Sequence, residues 1–186
     1  MRPQRRYLRF IVFAATIAAT LATAPAIAED PGAGLEPNAA RQPSIHRSQG
    51  SAAELGTLRI PAIGVDETVR SGVALSVIDQ GVAHWSGTAQ PGESGNVVLA
   101  GHRTTHSRPF FNLDRLEVGD LLYVTDGNGF EVMYSVDESF VVEPTDMWIT
   151  YESGEPTLTM FACHPKGSAR YRIVVTANLV AGRPIA

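Results

Sequence analysis

Between residues 57 and 180, short runs of β-branched and apolar residues alternate with turn residues. The run 96–100 is almost continuously apolar, which is typical of a central strand. The sequence Asp126-Gly-Asn-Gly has the chemistry of a hairpin turn, and a long alternating run over residues 130–142 follows it. Many short strands with little helix predict an all-β barrel or sandwich.

Three segments between the strands carry weaker signals. Residues 74–80 and 109–116 predict short helices, the second with an apolar face of phenylalanine and leucine side chains. Residues 143–155 predict a long loop that leads into a strand over residues 158–162. Pro61 lies in the first strand-like run and restricts that run to an edge or a bulge, because proline lacks the N–H group that a central strand needs.

The chain divides by composition into four parts, which are residues 1–28, 29–55, 56–181 and 182–186. The first part has arginines ahead of an apolar segment and ends in Ala26-Ile-Ala28, the small-x-small form of a signal-peptidase site. The second part is rich in Ala, Pro, Gly, Ser and Gln, which predicts a flexible linker, and its His46 is expected to have no role. The third part is the predicted folded domain, and the fourth is a short tail.

The first part fits either of two export signals. An uncleaved signal anchor needs about 20 apolar residues, and residues 8–28 just reach that length. A cleaved signal peptide would instead release the rest of the chain as a secreted protein. In both cases we expect the folded domain outside the cytoplasmic membrane, attached to it through the N-terminal segment if that segment is an anchor. The net charge of −4, without a basic stripe, gives no indication of nucleic-acid binding.

Cys163 is the only cysteine in the chain, so no internal disulfide can form. It ends a strand-like run, and in an exported protein it is either a small buried hydrophobe or a reactive thiol. His102 directly follows another such run, and Arg172 starts one. A histidine can activate a thiol and protonate a leaving amine, and an arginine can bind an oxyanion. Each of the three residues could also be structural, and Arg170 competes with Arg172 for the arginine role.

Four segments form an ordered set, namely Asn96-Val-Val-Leu-Ala-Gly-His-Arg-Thr-Thr, residues 110–120, Thr157-Leu-Thr-Met-Phe-Ala-Cys-His-Pro and Arg172-Ile-Val-Val. This set resembles the sortases, the cysteine transpeptidases of Gram-positive bacteria. Its Gly-His-Arg and Cys-His-Pro sequences are most similar to the actinobacterial class E group. The resemblance implies an eight-stranded barrel in which Cys163 is the nucleophile and His102 the general acid and base. Arg172 then stabilises the oxyanion or the bound substrate.

The resemblance also implies a reaction and its partners. The thiolate attacks the Thr-Gly bond of a C-terminal sorting signal, Leu-Pro-x-Thr-Gly or Leu-Ala-x-Thr-Gly, and forms a thioester. An amine from a wall precursor or a pilin then resolves the thioester, which attaches a surface protein to the cell wall or assembles a pilus. No cofactor and no metal site are expected.

Five further positions are candidates for binding the substrate. Met147, Trp148 and Tyr151 lie on the predicted long loop, although Trp148 and Tyr151 could equally cover the barrel. Ala162 stands where similar proteins usually have a threonine, whose hydroxyl is thought to help shape the substrate groove. His164 directly follows the cysteine.

Two other functions stay open at this point. An inactive sortase-like domain would bind surface proteins without cutting them. An exported zinc-dependent hydrolase would use His102, His106, Cys163 and His164, which are residue types that suit zinc. Against zinc, the segment after His102 contains Pro109 and need not be helical, so the spacing does not place both imidazole rings on one face.

Overall fold

Eight β-strands close into a barrel in the structure, a computed structural model that describes residues 52–184. The strands are β1 (Glu54–Ile60), β2 (Val65–Ser71), β3 (Val82–His84), β4 (Asn96–Ala100), β5 (Leu121–Asp126), β6 (Phe130–Val142), β7 (Thr157–His164) and β8 (Tyr171–Pro184). Around the barrel they follow the order β1, β2, β3, β4, β7, β8, β6 and β5, and β5 pairs with β1 to close the sheet. The prediction of an all-β, eight-stranded barrel is confirmed.

Helical structure in the described range is limited to short pieces. They are α1 (Leu75–Ile78) and three 3-10 turns, Pro61–Ile63, Leu113–Arg115 and Met147–Thr150. The predicted helices over residues 74–80 and 109–116 are therefore present but shorter than the sequence pattern suggested. Pro61 follows the end of β1 and starts a 3-10 turn, where its missing N–H costs nothing.

Parallel pairing between β4 and β7 organises one rim of the barrel. The register runs from Asn96 opposite Thr157 to Ala100 opposite Phe161. Because parallel neighbours run in the same direction, their C-terminal ends lie at the same rim. β8 starts at that rim, since it pairs antiparallel with β7. The β4–β7–β8 rim therefore gathers the residues that follow β4, end β7 and begin β8.

The barrel interior holds the main hydrophobic core, and a smaller cluster lies on the outer side of β7. Leu158, Met160 and Ala162 alternate along β7 and belong to the main core. The intervening Phe161 packs against the smaller cluster, which includes Ile149 of the third 3-10 turn. This second cluster fastens the loop between β6 and β7 to the outside of the barrel.

The barrel extends slightly beyond the predicted domain at both ends. β1 begins at Glu54 rather than at residue 56, and β8 continues to Pro184 rather than ending at residue 181. β8 extends because the long β6 supplies a pairing partner along its whole length, as far as Phe130 opposite Pro184. The start of the predicted tail is therefore part of the sheet.

The predictions for the N-terminus fall outside the described residues. They concern the export signal over residues 1–28, most of the linker over residues 29–55, and His46. Among residues 52–184, none of the helices has the length and apolar character that crossing a bilayer requires.

Candidate active site

Cys163 and Arg172 lie opposite each other on neighbouring antiparallel strands. Their Cα atoms pair directly in the β7–β8 register, so the two side chains project from the same face of the sheet. Cys163 is a free, half-buried cysteine. Arg170 precedes β8, and its guanidinium carbon lies 5.1 Å from the ring centroid of Tyr171. The structure therefore places Arg172, and not Arg170, opposite the thiol.

His102 follows β4 at the same rim. Ala100 pairs with Phe161, and one residue later the N–H of Gly101 donates to the carbonyl of Phe161 at 3.3 Å. His102 and Cys163 each come two residues after this Ala100–Phe161 pair, so the parallel register brings their backbones to the same level of the barrel. The three positions that the sequence singled out are thus collected at one rim.

Asp79 and His106 both contact the ring of His102. The Nε2 atom of His102 lies 2.8 Å from Oδ1 of Asp79, the residue at the C-terminal end of α1. Because a carboxylate only accepts, Nε2 carries the proton in this bond. The ring of His106 stacks on that of His102 with centroids 4.8 Å apart, and its Nδ1 lies 3.4 Å from the same Asp79 oxygen. Asp79 is not among the predicted site residues, because it lies 23 residues from His102 in the chain and no local sequence pattern marks it.

Arg103 is buried, with 2% of its surface exposed, and binds partners on two segments. Its guanidinium donates to Nδ1 of His164 at 2.9 Å and to Oδ2 of Asp114 at 2.9 Å. Because Nδ1 of His164 accepts this bond, the ring proton lies on Nε2. Burial alone would raise the pKa of Asp114, but the charges of Arg103 and Lys166 outweigh burial and lower the pKa below its usual range. His164, a candidate for substrate binding, is therefore engaged with Arg103.

A cleft of about 160 Å³ opens beside Arg172. Its walls come from the segment that follows β3, from the loop between β6 and β7, and from the outer sides of β7 and β8. The lining includes Trp85, Pro144, Met147, Ile149, Phe161 and Arg172. The rings of Trp85 and Phe161 contact each other with centroids 6.0 Å apart. The cleft thus combines mostly apolar walls with the guanidinium of Arg172 and the carboxylates of Glu143 and Asp146.

The substrate-binding candidates are distributed differently from the sequence expectation. Met147 lines the cleft. Trp148 stacks on Phe140, with ring centroids 5.6 Å apart and planes 8° from parallel, and therefore covers the outside of the barrel. Tyr151 is 65% exposed and lies outside the cleft lining. Ala162 is 2% exposed and belongs to the main core, so it does not form part of the cleft surface.

The set of four zinc ligands that the sequence left open is not assembled. In the part of the chain that the structure describes, the potential ligand atoms that cluster belong to Asp79, His102 and His106, and Cys163 and His164 are not among them. His102 and His106 meet without a helix, because the backbone turns at His106 with a φ of 53°.

Known proteins match this chain over the barrel. A family model described as a Sortase domain matches residues 58–180. Sortase SrtE1 of Streptomyces coelicolor is 30% identical over 142 residues, which cover 68% of this chain and 40% of that protein. The chain spans between 40% and 63% of the length of the curated relatives that it matches.

Solved structures give the same likeness. A Sortase D5 transpeptidase of Clostridium perfringens has a TM-score of 0.63 at 32% identity, over 69% of this chain and 79% of that one. Sortase E1 of Streptomyces coelicolor, solved with a tripeptide in the active site, has a TM-score of 0.65 at 27% identity, over 70% of this chain and 90% of that one. The family match, the related sequences and the shared fold show that this chain belongs to the sortase family of cysteine transpeptidases.

Proposed function

We propose that this chain is a transpeptidase that cuts a C-terminal sorting signal between Thr and Gly and joins the new end to an amine. The observation that carries the proposal is the β4–β7–β8 rim, where Cys163 pairs with Arg172 and His102 emerges at the level of the thiol. Family membership supports the class of reaction. The register of the three strands supports the roles of the individual residues.

The proposed reaction has two acyl-transfer steps. The thiolate of Cys163 attacks the threonine carbonyl carbon and forms a C–S bond. The C–N bond to glycine breaks as the His102 imidazolium gives a proton to the leaving amine. An incoming amine then attacks the thioester and loses a proton to His102, so that a new C–N bond forms and the C–S bond breaks. The thiolate and the protonated histidine are thereby restored.

Arg172 and Asp79 complete the proposed machinery. Nη1 of Arg172 donates to the carbonyls of Ala169 and Tyr171 at 3.0 Å and 2.9 Å, which holds the guanidinium at the start of β8. Its remaining N–H groups are donors for the oxyanion or for the substrate backbone. Asp79 holds His102 through Nε2, so we assign the proton transfers to Nδ1.

The proposed substrate is a sorting signal of the Leu-Pro-x-Thr-Gly or Leu-Ala-x-Thr-Gly type. The cleft places Met147 and Phe161 beside Arg172, which suits an apolar peptide side chain close to a reacting carbonyl. The tripeptide bound by Sortase E1 supports a peptide ligand. We place the enzyme outside the cytoplasmic membrane, attached through its N-terminal segment, with a wall precursor or a pilin as the source of the amine.

Mass spectrometry of the full-length protein with a panel of sorting-signal peptides tests this function. With an amine acceptor present, we expect cleavage between Thr and Gly and a new amide on the threonine. Without the acceptor, we expect the N-terminal fragment attached to Cys163. Cys163→Ala should give neither product while circular dichroism shows an intact barrel. An adduct at another residue, or cleavage by Cys163→Ala, would contradict the mechanism.

An irreversible thiol-reactive probe separates this enzyme from an inactive sortase-like binding domain. An ordinary thiol is only a few per cent thiolate at neutral pH, so rapid labelling requires activation. In the proposed enzyme His102→Ala should slow the labelling of Cys163. A binding domain without activity would label slowly, and His102→Ala would leave that rate unchanged.

A further inference from the structure

Asp79, His102 and His106 form a compact cluster of potential metal ligands beside the β4–β7–β8 rim. One oxygen of Asp79 lies 2.8 Å from Nε2 of His102 and 3.4 Å from Nδ1 of His106. All the ligand atoms lie within 4.8 Å of one another. Tetrahedral zinc, with bonds of roughly 2.0–2.1 Å, needs ligand atoms about 3.3 Å apart. The two separations from the Asp79 oxygen are close to that spacing, and a rotation of the stacked imidazole rings would bring both nitrogens to face one ion.

The loop after His102 turns back on itself, and this brings the ring of His106 against the ring of His102. His106 and Arg108 have φ angles of 53° and 47°, in the left-handed region that residues other than glycine seldom adopt. The N–H of Arg108 donates to the carbonyl of Thr105 at 3.0 Å, and the N–H of Phe110 donates to the carbonyl of His102 at 3.2 Å. An unfavourable backbone conformation that the surrounding structure maintains is a feature of functional sites.

A hydrogen-bonded support for His102 explains Asp79 but does not explain His106. Asp79 already supplies that support at 2.8 Å. His106 lies further from the same oxygen, and its side chain is 49% exposed, so it gains little from burial or hydrogen bonding in this position. A metal ion would give His106 a role, because two imidazole nitrogens close to one carboxylate oxygen are a donor set that suits zinc.

We propose that Asp79, His102 and His106 bind a divalent transition-metal ion, zinc above all, and that the ion reversibly inhibits the enzyme, because a metal on Nε2 of His102 prevents the ring from forming the imidazolium that donates the proton through Nδ1. The inhibition rests on the function proposed above, because it requires that His102 transfers protons, whereas the binding does not. Side-chain exposures of 37% for Asp79 and 49% for His106 let an ion reach the cluster from solvent. The sequence predicted no metal site because the spacing was not helical, and the left-handed turn at His106 provides the convergence instead.

Cobalt titration of the full-length protein tests the binding. Co²⁺ substitutes for zinc, and its visible absorption reports the ligands around it. We expect one ion per chain, displaced by zinc, without the charge-transfer band that a thiolate ligand would give. Losing even a supporting partner of a metal ligand costs about 10- to 100-fold in affinity, so His106→Gln should weaken binding by at least about tenfold. Asp79→Asn serves as a second ligand variant and should weaken binding similarly.

Two control variants remove the competing ligands. His46→Gln removes a histidine that lies outside the described residues, and Cys163→Ala removes the thiol. Both should bind cobalt with the affinity of the unmodified protein. Unchanged affinity in His106→Gln and Asp79→Asn, or loss of affinity in either control, would overturn the proposed site.

Peptide cleavage at increasing zinc concentrations tests the inhibition. The unmodified enzyme should lose activity and recover it when a chelator is added. His106→Gln should need at least about tenfold more zinc for half inhibition. Cleavage that zinc accelerates or leaves unchanged would overturn the inhibition. A protein that cleaves no peptide would refute the proposed function alone, since the cobalt titration decides on the metal site independently.

Discussion

At the scale of single residues, the candidate site depends on which side chains the β7–β8 register brings face to face. Arg172 is paired with Cys163, whereas Arg170 precedes the strand and packs against Tyr171. A guanidinium offers several N–H groups in a planar fork to a developing oxyanion, and an ammonium lacks that fork. The two neighbouring arginines therefore provide a matched test of the assignment.

We expect Arg172→Ala to lower kcat/KM for peptide cleavage by about 100- to 1000-fold, which is the usual cost of losing one oxyanion donor. Arg172→Lys should recover little of the loss. Arg170→Ala removes the same side chain two residues away and should cleave peptide at close to the unmodified rate. Steady-state kinetics on a sorting-signal peptide measure all three, and equal losses at positions 170 and 172 would refute the role given to Arg172.

At the scale of elements, local chemistry was sufficient for the course of the long strand β6 but not for the ends of β1 and β8 or for which strands become neighbours. β6 spans Phe130–Val142 as predicted, because alternation defines its course and the preceding Asp126-Gly-Asn-Gly turn defines its start. The pairing of β4 with β7 joins Ala100 to Phe161, and no local pattern indicates which distant strand becomes the neighbour. The contact of Asp79 with His102 depends on this long-range arrangement, so it could not be predicted from the sequence.

The loop between β6 and β7 presents two large side chains with different contacts. Met147 lines the cleft beside Arg172, whereas Trp148 stacks on Phe140. Shortening a side chain in an apolar substrate pocket costs roughly 1–3 kcal/mol, so we expect Met147→Ala to lower kcat/KM by about tenfold. Trp148→Ala should lower Tm more than Met147→Ala does, because it removes the stack on Phe140, and should lower kcat/KM less. Peptide kinetics and thermal unfolding of both variants check this, and the opposite order would assign the peptide contact to Trp148.

Arg103 connects the segment that carries His102 with the strand that carries Cys163. It directly follows His102 in sequence, and its guanidinium binds His164, which directly follows Cys163. It also binds Asp114 on the 3-10 turn between β4 and β5. One buried side chain thus links the two strand ends that hold the proposed nucleophile and proton donor.

Arg103→Met should test this connection, because methionine keeps an apolar stem but removes the donor to His164 and leaves Asp114 with Lys166 alone. A buried polar group that loses its partner costs about 1–3 kcal/mol, and we expect a loss of stability of about 1 kcal/mol, because His164 is half-buried and water replaces part of the bond to the 38% exposed Asp114. Arg115→Met, at an exposed arginine of the same region, should change the free energy of unfolding by less than about 0.5 kcal/mol. Chemical denaturation measures both variants, and equal stabilities would show that the connection contributes nothing.

At the scale of the whole molecule, the barrel is closed and needs no disulfide. A closed sheet has no free strand edge, which removes a common route to aggregation. The single cysteine leaves the fold without an internal disulfide, so its stability comes from the closed sheet and its core. The thiol of Cys163 therefore cannot be lost to an internal disulfide.

We expect the domain to be reached from outside intact cells. The motivation is the arginine-rich start, the apolar segment that follows it, and the small and polar residues over positions 29–55. Protease added to cells or protoplasts should cut the chain between the N-terminal segment and the barrel and release a fragment that still carries Cys163. A cytoplasmic protein followed in the same samples should stay intact, which controls for lysis. If the barrel is protected until the membrane is broken, the domain does not work outside the membrane.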